Sequence, residues 1–200
     1  MIIGLTGQSG AGKSTVSEIL RLQQDFAVID CDGIAREVTE DGSICNKAIK
    51  EQFPETVSDE LVLDRKKIAS IVFSDKELLR KYEGIIYPFI TAQVTELISL
   101  YSFYGYGAII LDAPTLFEAG LDTVCDFVIS VIADKSVRAE RIRQRDKIDD
   151  EMIEKRFAAQ RNDEFFKERS EFIIYNNSDH NELERQTKEI IKTIRNRING

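Results

Sequence analysis

The sequence predicts an α/β fold with a mainly parallel, five-stranded sheet, and three observations carry that prediction. Short apolar runs stand at 2–6, 26–30, 107–114, 126–133 and 172–177, separated by stretches compatible with helix. A glycine-rich loop joins the first run directly to the first helical pattern. A long stretch with no strand signal lies between the second run and the third. Alternation of this kind implies parallel strands covered on both faces.

The first run, "IIGLT", is bounded by glycine, as a short buried strand is. From Lys13 onward "KSTVSEILRLQ" places Val16, Ile19, Leu20 and Leu22 near helical spacing. "FAVID" at 26–30 gives a second strand ending in acids, and "GAIILDAP" and "DFVISVIA" give two more. Between Ile34 and Phe103 the pattern reads as helices, with Pro88 as a break or kink. Residues 138–169 carry ten basic and nine acidic residues with little apolar sequence, which suits a mobile helical flap or a solvated helical hairpin. "FIIYNN" supplies the last strand, and Leu183, Ile190, Ile191, Ile194 and Ile198 share one face of a closing helix.

Composition excludes several classes. At 200 residues, 42% hydrophobic and 31% charged, the chain has the balance of a soluble globular enzyme. A formal charge of −8 is wrong for a protein that coats nucleic acid, so any anion site must be local. Cys31, Cys45 and Cys125 are odd in number and lack CxxC spacing, which suggests neither a disulfide framework nor a zinc site. With no signal-peptide pattern and no stretch of membrane-spanning length, the expected location is the cytoplasm, without membrane or nucleic-acid partners.

The chemistry starts at "GLTGQSGAGKST". Gly7, Gly12, Lys13 and Ser14 fit G-x-x-x-x-G-K-[ST] between a strand and a helix, the context a phosphate loop requires. Glycines let successive N–H groups point inward, and the helix N-terminus adds its positive dipole end. Lys13 would reach the β- and γ-phosphates of ATP, and the Ser14 hydroxyl would help hold Mg²⁺.

Three further groups stand at strand ends or on one helix face. Asp30 and Asp32 follow the second strand, where a carboxylate can accept the proton of an attacking hydroxyl or orient a substrate and metal. Asp32 also suits a helix N-cap. "DCDG" fits the DxxG of GTPases, but no NKxD follows later, so it is read as coincidence. Asp112, ending "AIILD", stands where a Walker B carboxylate would hold the metal through water. Arg138, Arg141 and Arg145, at i, i+3 and i+7, share a face suited to phosphate, while pairing with Glu140 or Asp146 is expected for one of them. His180, the one histidine, reads as a surface or capping residue.

With these residues in hand, the chain resembles the dephospho-coenzyme A kinases of the P-loop kinase group along nearly its whole length. "GLTGQSGAGKST" resembles the family's opening loop, and "VIDCDGIAREV" its Asp-x-Asp followed by a helix beginning Ile-Ala-Arg. "LVLDRKKIASIVFSD" and "DAPTLFEAG" are similar to two acceptor-side segments. "RAERIRQRD" with "AAQ" at 158–160 resembles the lid, and "YNN" at 175–177 the closing strand beside the nucleotide. The chain departs from the pattern at Tyr87, where the family usually has His, and at Gln8 and Ser9, which stand for the more usual Gly and Ile.

The resemblance implies a three-layer P-loop kinase core of residues 1–33, 105–137 and 170–200, a helical acceptor-binding insertion of 34–104 and a lid of 138–169. It implies transfer of the ATP γ-phosphoryl group to the ribose 3′-hydroxyl of dephospho-coenzyme A, the last step of coenzyme A biosynthesis. On the family's motifs Asp32 is the catalytic base, with Lys13 and Arg141 drawing off charge. Gly10, Ala11, Gly12, Lys13, Ser14, Thr15, Arg145 and Asn176 are expected to bind ATP, and Ser14 and Asp112 to hold Mg²⁺. The protein is expected as a monomer or weak homo-oligomer. The rival readings are another P-loop small-molecule kinase, for a nucleoside monophosphate or a sugar acid, and an ATP-dependent switch without catalysis.

Overall fold

The computed structural model describes residues 1–200. Five parallel-type apolar segments form strands: β1 (Ile2–Gly7), β2 (Phe26–Asp30), β3 (Ala108–Asp112), β4 (Phe127–Ile132) and β5 (Phe172–Tyr175). They build one sheet in the order β2-β3-β1-β4-β5, with β1 parallel to both β3 and β4, and β4 parallel to β5. β3 and β4 are buried along their whole length, which explains why they read as continuous apolar runs with no polar alternation.

The helices between them are α1 (Lys13–Arg21), α2 (Cys31–Glu37), α3 (Ile44–Gln52), α4 (Arg65–Val72), α5 (Lys76–Phe103), α6 (Lys135–Asp146), α7 (Asp150–Ala158), α8 (Asp163–Arg169) and α9 (His180–Asn199). Two compact units emerge: Met1–Ile29 with Leu100–Gly200, and Asp30–Ser99. The first holds the sheet. Its core joins Ile3, Leu5, Ile110, Ile129 and Val131 to Val16 and Leu20 of α1 and to Leu183, Ile190, Ile191 and Ile194 of α9. Each such side chain contributes roughly 1.5–3 kcal/mol on burial, so α1 and α9 are held firmly against the strands whose ends they flank.

The second unit is helical, built on Cys45, Ile49, Phe53, Val57, Leu63, Ile68 and Val72, against which Tyr82, Ile85, Ile86 and Phe89 of α5 pack. A single antiparallel bridge, Val57 to Leu63, is its only extended pairing. Pro88 does not break the helix: it lies inside the 28-residue α5. Proline removes the bond that would have reached the carbonyl of Gly84, and both residues are exposed, so water can take that carbonyl while the opposite face stays packed.

The charged stretch 138–169 is more anchored than its composition suggests. Ile142, Ile153 and Phe166 are buried there, and so is Arg138. His180 is exposed and opens α9, whose cap is Asp179, accepting from the Glu182 N–H. No helix is long and apolar enough to cross a membrane.

Candidate active site

The loop between β1 and α1 owes its shape to backbone that only glycine adopts easily. Gly10 has φ of +79° and Gly12 of +98°. A Cβ on Gly10 would lie 2.8 Å from the Arg138 carbonyl oxygen, and one on Gly12 would lie 2.2 Å from the Asn176 side-chain nitrogen. Gly12 is the N-cap of α1 and brings no side-chain acceptor; its carbonyl takes the Thr15 N–H at 3.1 Å, and the Lys13 and Ser14 N–H groups before it receive nothing from the cap. Such a terminus takes an anion readily.

The loop is gripped from behind. The Asn176 amide donates to the Ala11 carbonyl at 2.8 Å, and Arg141 donates to the Gly10 carbonyl at 3.4 Å and to Asn176 Oδ1 at 3.2 Å. Asn176 is 6% exposed and follows β5, where its own N–H donates to the Ile132 carbonyl. Next to it, Asn177 and Asp134 exchange two hydrogen bonds across the ends of β5 and β4. Of the sequence-predicted residues, Gly10, Ala11, Gly12, Arg141 and Asn176 therefore come together in one cluster. Asn176 meets the loop backbone itself, a contact that spacing could not reveal.

Lys13 opens α1 and pairs with Asp112, the last residue of β3, which is 8% exposed. Ser14 is exposed on the same first turn and Thr15 is half-buried beside it. Asp112 lies in register with Leu5 of β1, the strand that runs into the loop. A hydroxyl on the first turn and a strand-end carboxylate are hard oxygen donors, the chemistry Mg²⁺ selects when phosphate oxygens and water complete its shell. No group of three or more His, Cys, Asp or Glu residues gathers into a dedicated metal cage.

Arg138, Arg141 and Arg145 of α6 separate into three environments. Arg141 reaches the loop. Arg138 is 7% exposed, donates to the Ala133 carbonyl at 3.0 Å and lies 4.6 Å over the Phe157 ring. Burial pulls its pKa down, opposed by the charge of Asp163. Arg145 instead holds Asp146 at 2.7 Å and 3.0 Å, while Arg156 pairs with the same carboxylate. These bonds, that from Arg145 foremost, hold the Asp146 carboxyl well below the usual range. The pairing with Asp146 expected for one of the three is thus made by Arg145, a neighbour in sequence.

In the second unit, the two acids at the end of β2 and the start of α2 divide their work. Asp30, not Asp32, caps α2: its Oδ1 accepts from the Gly33 N–H at 3.0 Å. Asp32 sits in the first turn of that helix, exposed. The capping role suggested for Asp32 therefore belongs to Asp30. In the same unit Arg65 donates to the carbonyls of Arg36 and Thr39, both at 3.1 Å. Tyr87 donates its hydroxyl to Glu83 at 3.1 Å, one turn back on α5.

Comparison with known proteins shows the family. Residues 1–182 match the family model described as dephospho-CoA kinase. The chain is 37% identical to the dephospho-CoA kinase of Fusobacterium nucleatum, covering 97% of this chain and 98% of that protein. It is 38% identical to that of Bdellovibrio bacteriovorus, over 95% and 94% of the two chains. Among solved structures, the dephospho-CoA kinase from Campylobacter jejuni superposes with a TM-score of 0.69 at 26% identity, covering 96% of each chain. A five-stranded, mainly parallel sheet, a phosphate loop and near full-length similarity lead to one conclusion: the chain belongs to the dephospho-CoA kinase family.

Proposed function

We propose that the protein transfers the γ-phosphoryl group of ATP to the ribose 3′-hydroxyl of dephospho-coenzyme A, releasing ADP and coenzyme A. The observation that carries this reading is the phosphate loop, with Gly12 as a bare cap on α1 and with Arg141 and Asn176 bonded to its carbonyls. Phosphoryl transfer asks the protein for positioning and charge neutralisation more than for covalent chemistry.

In this mechanism the N–H groups of Gly10 to Thr15 cradle the phosphates. Lys13 leaves its partner Asp112 for the β- and γ-phosphates, and Arg141 adds positive charge where negative charge develops. Arg145 joins them when the segment 138–169 closes as a lid, which requires it to leave Asp146. Asp32 accepts or orients the proton of the attacking hydroxyl. The acceptor binds through the helical residues 34–104, where the Tyr87 phenol replaces the family's usual His. Ser14 and, through water, Asp112 would hold Mg²⁺, which would supply positive charge beside the phosphates. The enzyme acts in the cytoplasm as a monomer or weak homo-oligomer, and its substrates are small molecules.

ADP release from Mg-ATP, with and without dephospho-coenzyme A, tests the reading, with adenosine monophosphate and gluconate as competing acceptors. Release that depends on dephospho-coenzyme A supports it. Release driven by either control instead, or slow release with no acceptor dependence, would overturn it.

A further inference from the structure

Gln8 occupies a loop position where a side chain is not needed to hold phosphate, yet it is 5% exposed and fully engaged on its donor side. Its Nε2 donates to the Arg161 carbonyl at 3.1 Å and to Asp163 Oδ1 at 2.9 Å. Both neighbours are acceptors, so the amide cannot be turned over without setting its oxygen against two others. Its Oε1 is buried with no protein partner. A side chain that keeps one atom unsatisfied is held there by the bonds it does make.

The contact joins distant parts of the first unit. Beside Gln8, the Ser9 N–H donates to Gln160 Oε1 at 3.3 Å, and Arg138 donates to that same oxygen at 3.4 Å. Gly10 lies against the backbone of α6 at Arg138. The phosphate loop therefore touches the charged segment twice, at the start of α6 and at 160–163, ahead of α8. Between these two contacts, Lys147 ends α6 with φ of +54°, a left-handed conformation that turns the chain away from the helix.

We propose that Gln8 is a positioning residue that latches the lid, at Arg161 and Asp163 ahead of α8, to the phosphate loop, so that nucleotide on the loop and order in the lid are one coupled state. A glycine at this position could not make this latch. The inference rests on the loop binding ATP and is independent of which acceptor is used.

The test uses the full chain with the Mg²⁺ complex of a non-hydrolysable ATP analogue. Analogue affinity is read by calorimetry, and amide exchange is followed at 157–166 and, as a reference, in β4. Gln8 is not at positive φ, so Gln8→Ala fits the backbone without strain. Gln8→Ala and Asp163→Ala should each weaken analogue binding and speed exchange at 157–166 by about tenfold, the effect of losing a hydrogen bond to a charged group, with β4 unchanged. The double variant should be no worse than the worse single one, because both break the same contact. Asp163→Asn keeps an oxygen acceptor and should stay near the parent. Three results would overturn the latch: unchanged affinity and exchange in Gln8→Ala, effects of the two singles that multiply in the double, or faster exchange in β4 to the same extent as at 157–166. Because no acceptor is present, loss of the dephospho-coenzyme A reading would leave this outcome untouched.

Discussion

Asp30 and Asp32 offer a clean separation of stability from chemistry. Asp30 caps α2 through the Gly33 N–H, and Asp32 lies exposed in the first turn of the same helix. Removing the cap with Asp30→Ala should cost about 1 kcal/mol, which for a chain of this size lowers the melting temperature by roughly 2–4 °C. Asp30→Asn keeps an oxygen for Gly33 and should melt like the parent. Asp32→Asn removes a charge near the positive end of a short helix, a contribution of about 0.3–1 kcal/mol. Its turnover should nevertheless fall at least about a hundredfold, the lower range for a positioned general base, which corresponds to about 2.7 kcal/mol of lost transition-state stabilisation. The assay is ADP release at saturating Mg-ATP and dephospho-coenzyme A, with a melting curve for each variant. If Asp32→Asn keeps most of its turnover while Asp30→Asn loses it, Asp30 is the base and the assignment carried by the family motif is wrong.

Other outcomes follow from the same geometry. Lys13→Ala should lose several orders of magnitude in turnover and also lower the melting temperature, because it leaves the largely buried Asp112 carboxylate without its partner. Adding Asp112→Asn should restore the melting temperature and not the rate, and a double variant as unstable as the single one would refute the pairing. Asn176→Ala strips the Ala11 carbonyl of its donor and should cost roughly 1–3 kcal/mol in denaturant unfolding, with weaker ATP binding. Arg145 holds the Asp146 carboxyl below its ordinary range, so this contact stabilises fully above about pH 4 and fades as pH falls further; acid titration of Asp146→Asn should show less acid destabilisation than the parent. Burial pushes the thiols of Cys45 to about 11 and Cys125 to about 12, so neither should react with an alkylating reagent near pH 8 until the protein unfolds.

Much of the fold could be read from local pattern, since each strand is a short apolar run and each flanking helix buries a periodic face. The phosphate loop was legible for the same reason: its glycines, lysine and serine lie within eight residues of one another and their chemistry is local. What spacing could not supply was the partner of each polar group. Two acids two residues apart both suit a helix start, and only the Gly33 contact shows that Asp30 takes the cap. Three arginines on one helical face looked alike, but tertiary packing buried one, set one on the loop and left one with a neighbouring aspartate. Pro88 signals a helix break locally, and an exposed position opposite a packed face overrides that signal. The Gln8 contacts span more than 150 positions and leave no periodic trace.

The grip on the phosphate loop has a consequence for the order in which the protein is made. Gly10 and Ala11 are synthesised well before their partner: the amide that holds the Ala11 carbonyl comes from Asn176, 165 positions later, just after the strand that completes the sheet. A nascent chain that has released its glycine motif, α1 and even the arginines of α6 still lacks the clamp. Domains fold as they emerge, from the N-terminus forward, and contacts this far apart in sequence form late. ATP therefore cannot serve as an early template for this fold. Nucleotide capture becomes a marker that synthesis has passed Asn176, and a ribosome stalled before it would carry a recognisable nucleotide motif with no working grip.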